Sequence, residues 1–147
     1  MLKTSNFSLE RTLDLYLLLI INKLMLMSNT KEHAKIAIEN LEGVRGEYKA
    51  ARYSNVGLLA VRALEQMVEA CAAKENLHFH EHPRVAHRDR REWLKSHHPD
   101  IVKEWDALWL VYGTLGYGGV NGGKAREALK IAEKTVKELA RREEIEL

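Results

Sequence analysis

Apolar residues recur at three- and four-residue steps through most of the chain, the period of an amphipathic helix rather than of a strand. The pattern becomes regular at Asn29. Ala34, Ala37, Ile38, Leu41, Val44 and Tyr48 trace one face of a first helix, and Asn29 with Glu32 three residues on predicts its cap. Gly43 and Gly46 fall in its late turns, where a missing side chain lets a neighbour approach closely. After "RYSN", with Ser54 or Asn55 as cap, a second helix carries the broad stripe Val56, Leu59, Ala60, Ala63, Leu64, Met67, Val68 and Cys71 and ends between Lys74 and Asn76. "LHFHEHPRVAH" has no helical period and predicts an extended connection, followed by a short helix from Arg88 to Ser96. Pro99 suits a first helical position, and the helix it opens has Ile101, Val102, Trp105, Leu108, Trp109 and Tyr112 as its stripe. The glycine-rich stretch Gly113 to Gly123 predicts a loop. A final helix follows with Ala125, Ala128, Leu129, Ala132, Val136, Leu139 and Ala140 at good spacing. The expected architecture is all-α: an up-and-down helical bundle of four main helices plus a short helix, with room for an extra N-terminal helix.

The first residues depart from this regularity. "LDLYLLLIINKLMLM", Leu13 to Met27, is apolar on almost every helical face. Asn22 and Lys23 interrupt it and leave too short an apolar run for a membrane span, and "LMLMSN" is a poor signal-peptide cleavage site. Two readings fit. The segment is a helix that covers an apolar groove or a partner subunit. Alternatively, residues 1–28 are an extension ahead of a domain spanning 29–147, as a start codon assigned too far upstream would give. No membrane association is expected.

Composition narrows the classes. A chain of 147 residues suggests one domain with a core large enough to fold alone. Hydrophobic residues at 46% and charged residues at 30% are ordinary for a soluble globular protein. A formal net charge of +2 is too small to imply nucleic-acid binding by itself, so any such case rests on local clustering. Cys71, the sole cysteine, excludes an internal disulfide and makes a cytoplasmic location the expectation; its place in the second helix's stripe predicts a buried thiol.

"YKAARYSNVGLLAVRALEQMVEACAAKENLHF" resembles the second-helix region of the HEPN domains (higher eukaryotes and prokaryotes nucleotide-binding), with Tyr48, Ala60, Ala63, Glu65, Ala70 and Lys74 at the matching places. "YGTLGYGGVNGGKAREALKIAEKTVKEL" looks like the closing segment of that family, with Tyr112, Tyr117, Ala125, Ala128, Leu129, Ala132, Thr135 and Val136 in register. The resemblance covers roughly Thr30 to Leu139, and the order and lengths of the elements carry it more than any one match. It implies a bundle that often forms a homodimer. It also implies a role beside nucleotides or RNA, often with a nucleotidyltransferase-type partner, as in toxin-antitoxin pairs. In the family's ribonuclease branch, which is metal-independent, an arginine lies four to six residues before a histidine on a helix at the dimer interface.

"RVAHRDRREWLKSHHPD", Arg84 to Asp100, holds the material for such a pair. Arg91 with His97 is the candidate, with Arg90 and His98 as alternates. Arg90 and His97 would share one helix face about 10 Å apart along the axis. A histidine titrating near neutrality can take a proton from a ribose hydroxyl while an arginine holds the phosphate. Against this, Arg91 is followed by Glu92, and Arg90 by Arg91, where the family places a small polar residue, and Pro99 disturbs the helix beside the histidines. A solvated basic helix anchored by Trp93 and Leu94 gives the same pattern. Without catalysis, Arg84, His87, Arg88, Arg90 and, at the head of the last helix, Lys124 are the candidate nucleotide or phosphate contacts. Arg84, Arg88, Arg90, Arg91 and Lys95 outweigh Asp89 and Glu92, with Asp100 at the segment's end, and predict a local positive excess.

His78, His80 and His82 alternate along the connection, so an extended chain would turn them to one side, where an ion could sit. A polar loop has the same composition, and no metal or other cofactor is expected. "GYGGVNGG" could offer backbone amides to a phosphate at the head of the final helix, yet it lacks the Lys-Ser or Lys-Thr pair of a P-loop, so a turn between helices is the expectation there. Three functional readings follow: a HEPN-like binding or interaction module for nucleotide or RNA; a metal-independent endoribonuclease of the same fold acting through an Arg/His pair; and a structural helical bundle without a ligand.

Overall fold

The computed structural model describes residues 4–117 and 121–147, with side chains from residue 8 onward. Five α-helices make up the fold of the described residues: α1 (Thr4–Lys49), α2 (Tyr53–Ala73), α3 (Ala86–His97), α4 (Val102–Tyr117) and α5 (Gly122–Arg142). Single 3₁₀ turns at Phe79–Glu81 and Pro99–Ile101 precede α3 and α4. No strand occurs among the described residues.

α2 is the central element and packs against α1, α4, α5 and α3. Paired residues fix the directions. Thr30 Oγ1 donates to the Ala70 carbonyl at 3.1 Å and His33 meets Gln66 at 2.8 Å, while at the other end a Cβ on Gly43 would lie 3.0 Å from Leu59; α1 and α2 are therefore antiparallel. Gly57 of α2 lies under Leu115 and Tyr112 of α4, close enough that a Cβ would meet Leu115 at 3.2 Å, so this glycine sets the approach of two antiparallel helices. Lys74 bonds the Glu143 carbonyl at 2.6 Å, which places the ends of α2 and α5 together, and α5 runs back along α4 with Arg142 on Asp100 at 2.7 Å. The result is an up-and-down bundle of α1, α2, α4 and α5, with α3 inserted in the crossover between α2 and α4.

The stripes read from the sequence form the core. Trp105, Leu41, Leu64, Met67, Leu94, Leu108, Leu115 and Leu139 are its largest fully buried side chains. Leu129 is only half-buried at the edge of this cluster. Three helix ends close with one motif. Ala51, Asn76 and Glu144 take left-handed backbone (φ 56°, 58° and 55°), and each is followed by a residue whose N–H reaches back five positions: Arg52 to Glu47, Leu77 to Ala72 and Ile145 to Ala140.

Several boundaries differ from the sequence expectation. Asn29 and Glu32 cap nothing, because α1 is continuous through them and the preceding turns already supply acceptors for the local amides. α2 begins at Tyr53 with Arg52 at its cap position and no side-chain cap; Asn55 instead donates to Glu47 at 3.0 Å. The connection after α2 is not extended but folds through the 3₁₀ turn Phe79–Glu81. α4 continues through Gly113 and Gly116 to Tyr117, since Val111 and Leu115 keep its inner face packed. Gly118 to Val120, the middle of the expected glycine loop, lie outside the described residues. Asn121 caps α5, its side chain accepting from the Lys124 amide at 3.0 Å.

Among the described residues, the apolar side chains in the N-terminal half of α1 lie outside the core. Leu13, Tyr16, Leu17, Ile20, Ile21 and Leu24 are all exposed, and Thr30 is the first buried residue. By length and composition this is the one helix among the described residues apolar enough to cross a membrane, although a signal sequence or a core helix passes the same test.

Candidate functional site

α3 carries most of the candidate residues, and its amphipathic pattern decides where each one points. Trp93 and Leu94 are buried and seat the helix against α2. Arg90 lies on the same inward side and is 8% exposed, so its guanidinium needs partners within the protein. It donates from Nε to Glu69 at 2.9 Å and from Nη1 to Glu65 at 3.1 Å, both on α2. Glu69 is fully buried and is held on its other oxygen by His80 at 3.1 Å. Burial pushes the Glu65 carboxyl above the usual range, with Arg90 opposing that rise. Arg90 is thus a structural ion-pair residue and not the exposed phosphate contact that the helical pattern suggested.

Arg91 points away from Arg90, toward α4, and forms a two-pronged pair with Asp106, both bonds at 2.8 Å. That pairing holds the Asp106 carboxyl below its ordinary value. His97 sits at the far end of α3 and stacks on Trp93, ring centroids 4.1 Å apart. Its Nδ1 faces the Trp93 carbonyl at 2.9 Å and its Nε2 faces Glu75 at 2.7 Å. His98 is buried against Glu143 at 2.8 Å. Within the chain Arg91 and His97 therefore engage different neighbours, α4 for the arginine and the end of α2 for the histidine.

The remaining candidates divide between surface and internal roles. Arg84 is exposed on the turn before α3, and Arg88 is exposed but bonded to Asp89 at 3.0 Å. His87 lies beside Trp109 at 4.3 Å, and partial burial followed by the charges of Arg90 and Arg91 depresses its pKa. Lys124 pairs with Glu127 at 3.0 Å. The local positive excess expected for residues 84–98 is offset by Glu65, Glu69 and Asp106, brought in from α2 and α4. Linear sequence could not show these partners. Their only trace is Glu65 and Glu69, one helical turn apart, flanking an otherwise apolar stripe.

The histidine grouping also differs. The folded connection does not align His78, His80 and His82; instead His78 and His80 meet His33 of α1. A separate groove of about 1100 Å³ runs between α1 and the C-terminal tail, lined by Lys31, Ile38, Lys74, Glu143 and Ile145 among others.

No family model, curated protein or solved structure matches this chain.

Proposed function

We propose that this protein is a HEPN-like binding and interaction module that acts beside nucleotide or RNA as a homodimer with a nucleotidyltransferase-type partner, and does not itself cleave RNA. The observation that carries the non-catalytic choice is the setting of His97. Both of its ring nitrogens face acceptors, the Trp93 carbonyl and Glu75, so neither turns a lone pair outward to take a proton from a ribose hydroxyl. Arg90 is spent on Glu65 and Glu69, and Arg91 on Asp106. The bundle order, with a short helix between the second and third long helices, supports the HEPN-like frame. Exposed Arg84, Arg88 and Lys95 remain as the cationic surface for phosphate. The unpacked apolar half of α1 supports the interaction role, because a contiguous exposed patch of this kind marks a surface that another molecule covers.

The test uses the full chain, a fluorescent single-stranded RNA and a chelator. Weak binding that falls with rising salt is expected, with the RNA left intact. Replacing Arg84 and Arg88 together with alanine should weaken binding and flatten its salt dependence. RNA cleavage that disappears in His97→Ala while binding survives would instead establish the ribonuclease. Absence of both binding and cleavage at low salt would leave a structural bundle.

A further inference from the structure

The structure assigns a second, unrelated site: we propose that His33, His78 and His80 form a three-histidine site for a divalent transition metal of the zinc class. His33 comes from α1, His78 precedes the 3₁₀ turn Phe79–Glu81 and His80 lies within it. One ring nitrogen from each lies within 4.8 Å of the others. A tetrahedral ion at ordinary zinc–nitrogen distances needs its ligand atoms about 3.3 Å apart, so small side-chain rotations close the set.

The surroundings of the three rings make this more than a chance cluster. Each imidazole has one nitrogen anchored by an oxygen: His33 Nδ1 by Gln66 Oε1 at 2.8 Å, His80 Nδ1 by Glu69 Oε2 at 3.1 Å, and His78 Nε2 by Asn76 Oδ1 at 3.1 Å. A carboxylate can only accept, so His80 Nδ1 carries its proton there and the opposite nitrogen keeps the lone pair. The same logic at Gln66 and Asn76 leaves His33 Nε2 and His78 Nδ1 as donors to an ion. Outer partners of this kind orient metal-binding histidines and raise their basicity. Glu69 is itself fixed by Arg90, which ties the ring of His80 to the α2–α3 packing.

His80 shares the buried Glu69 with Arg90, so an ion on its other nitrogen would lie one imidazole away from a carboxylate held out of water. Three histidines leave a fourth position for water, and imidazole donors suit zinc, copper or nickel over magnesium or calcium.

The experiment titrates Zn²⁺ into metal-stripped full-length protein by calorimetry and follows Co²⁺ as a spectroscopic substitute. One ion per chain is expected, with the strong visible absorption of tetrahedral cobalt. His33→Ala and His78→Ala should each weaken binding by about tenfold or more. His82→Ala should bind as the parent does. His78 lies in the connection rather than in a helix, so its variant tests the site even if His33→Ala fails to fold, as circular dichroism would reveal. Undetectable Zn²⁺ uptake, parent-like affinity in His78→Ala, or loss of binding in His82→Ala alone would overturn the assignment.

Discussion

At the scale of single residues, Arg90 and Arg91 show what adjacent identical side chains cannot reveal in sequence. A helix advances about 100° per residue, so the two neighbours face different elements, and only the fold decides which one is buried. Arg90→Ala should destabilise the protein by about 3–5 kcal/mol, the usual consequence of stranding a buried charge, here Glu69. Arg91→Ala breaks a pair that is half exposed at Asp106 and should change stability by less than about 1 kcal/mol. Urea unfolding of the two variants measures the contrast, and equal effects would show that the buried triad carries no special weight. Ala51 offers a second test. Alanine in left-handed backbone is strained, whereas Asn76 at the equivalent place in the end of α2 is a residue suited to it. Ala51→Gly should therefore stabilise by about 0.5–1 kcal/mol, the strain relief slightly exceeding the extra chain entropy of glycine. A loss of stability on the same scale would contradict this.

At the scale of elements, the helical stripes were legible and the joints were not. Leu64 and Val136 sit in the core where their spacing puts them, because a stripe at period 3.6 can be buried only one way. The end of α2 was legible too, through Asn76. Caps misled: Asn29 reads as a start signal, yet the apolar residues before it extend α1 back to Thr4. The glycines at 113 and 116 read as a loop, yet one residue of packing, Leu115, carries α4 across them. The His33 contact was invisible for another reason, since it joins residues 45 and 47 positions apart through the folding of α1 onto α2 (78 − 33 and 80 − 33). Two stability measurements follow from burial. Leu64→Ala should cost about 2–5 kcal/mol, and half-buried Leu129→Ala less than about 2 kcal/mol. A chain beginning at Met27 should keep the helical content of its remaining residues and a cooperative transition, because residues 8–25 are exposed. Aggregated or molten truncated protein would show that the long first half of α1 contributes to the core through contacts between copies.

At the scale of the whole molecule, ion pairs tie the ends of helices that the apolar core already packs together, and their titration predicts how the fold responds to acid. Asp100, in the turn before α4, bonds Arg142 at the end of α5, and that bond holds its carboxyl down at about 2, against an ordinary 3.8. Arg141 and then Arg142 hold Glu138 at about 2, and Arg52 with Asn55 does the same for Glu47 at the α1–α2 joint, both against an ordinary 4.5. A carboxylate whose folded-state value is depressed contributes stability above its unfolded value and loses it as pH falls toward the folded one. His87 adds an earlier, smaller loss of the same sign: partial burial lowers its pKa from 6.5, so acid protonates it more readily in the unfolded chain. Glu65 runs the other way, since its raised value means that the folded state holds a proton there more easily. The expected melting temperature is flat at neutral pH, declines slightly below about 6.5 and falls steeply between about 4.5 and 2. Asp100 is exposed and Glu47 and Glu138 are partly so, so added salt should shrink the steep part by screening their pairs. Melting curves across this range at low and high salt measure it, and a steep fall that is unchanged by salt would show that these three pairs do not carry the acid sensitivity.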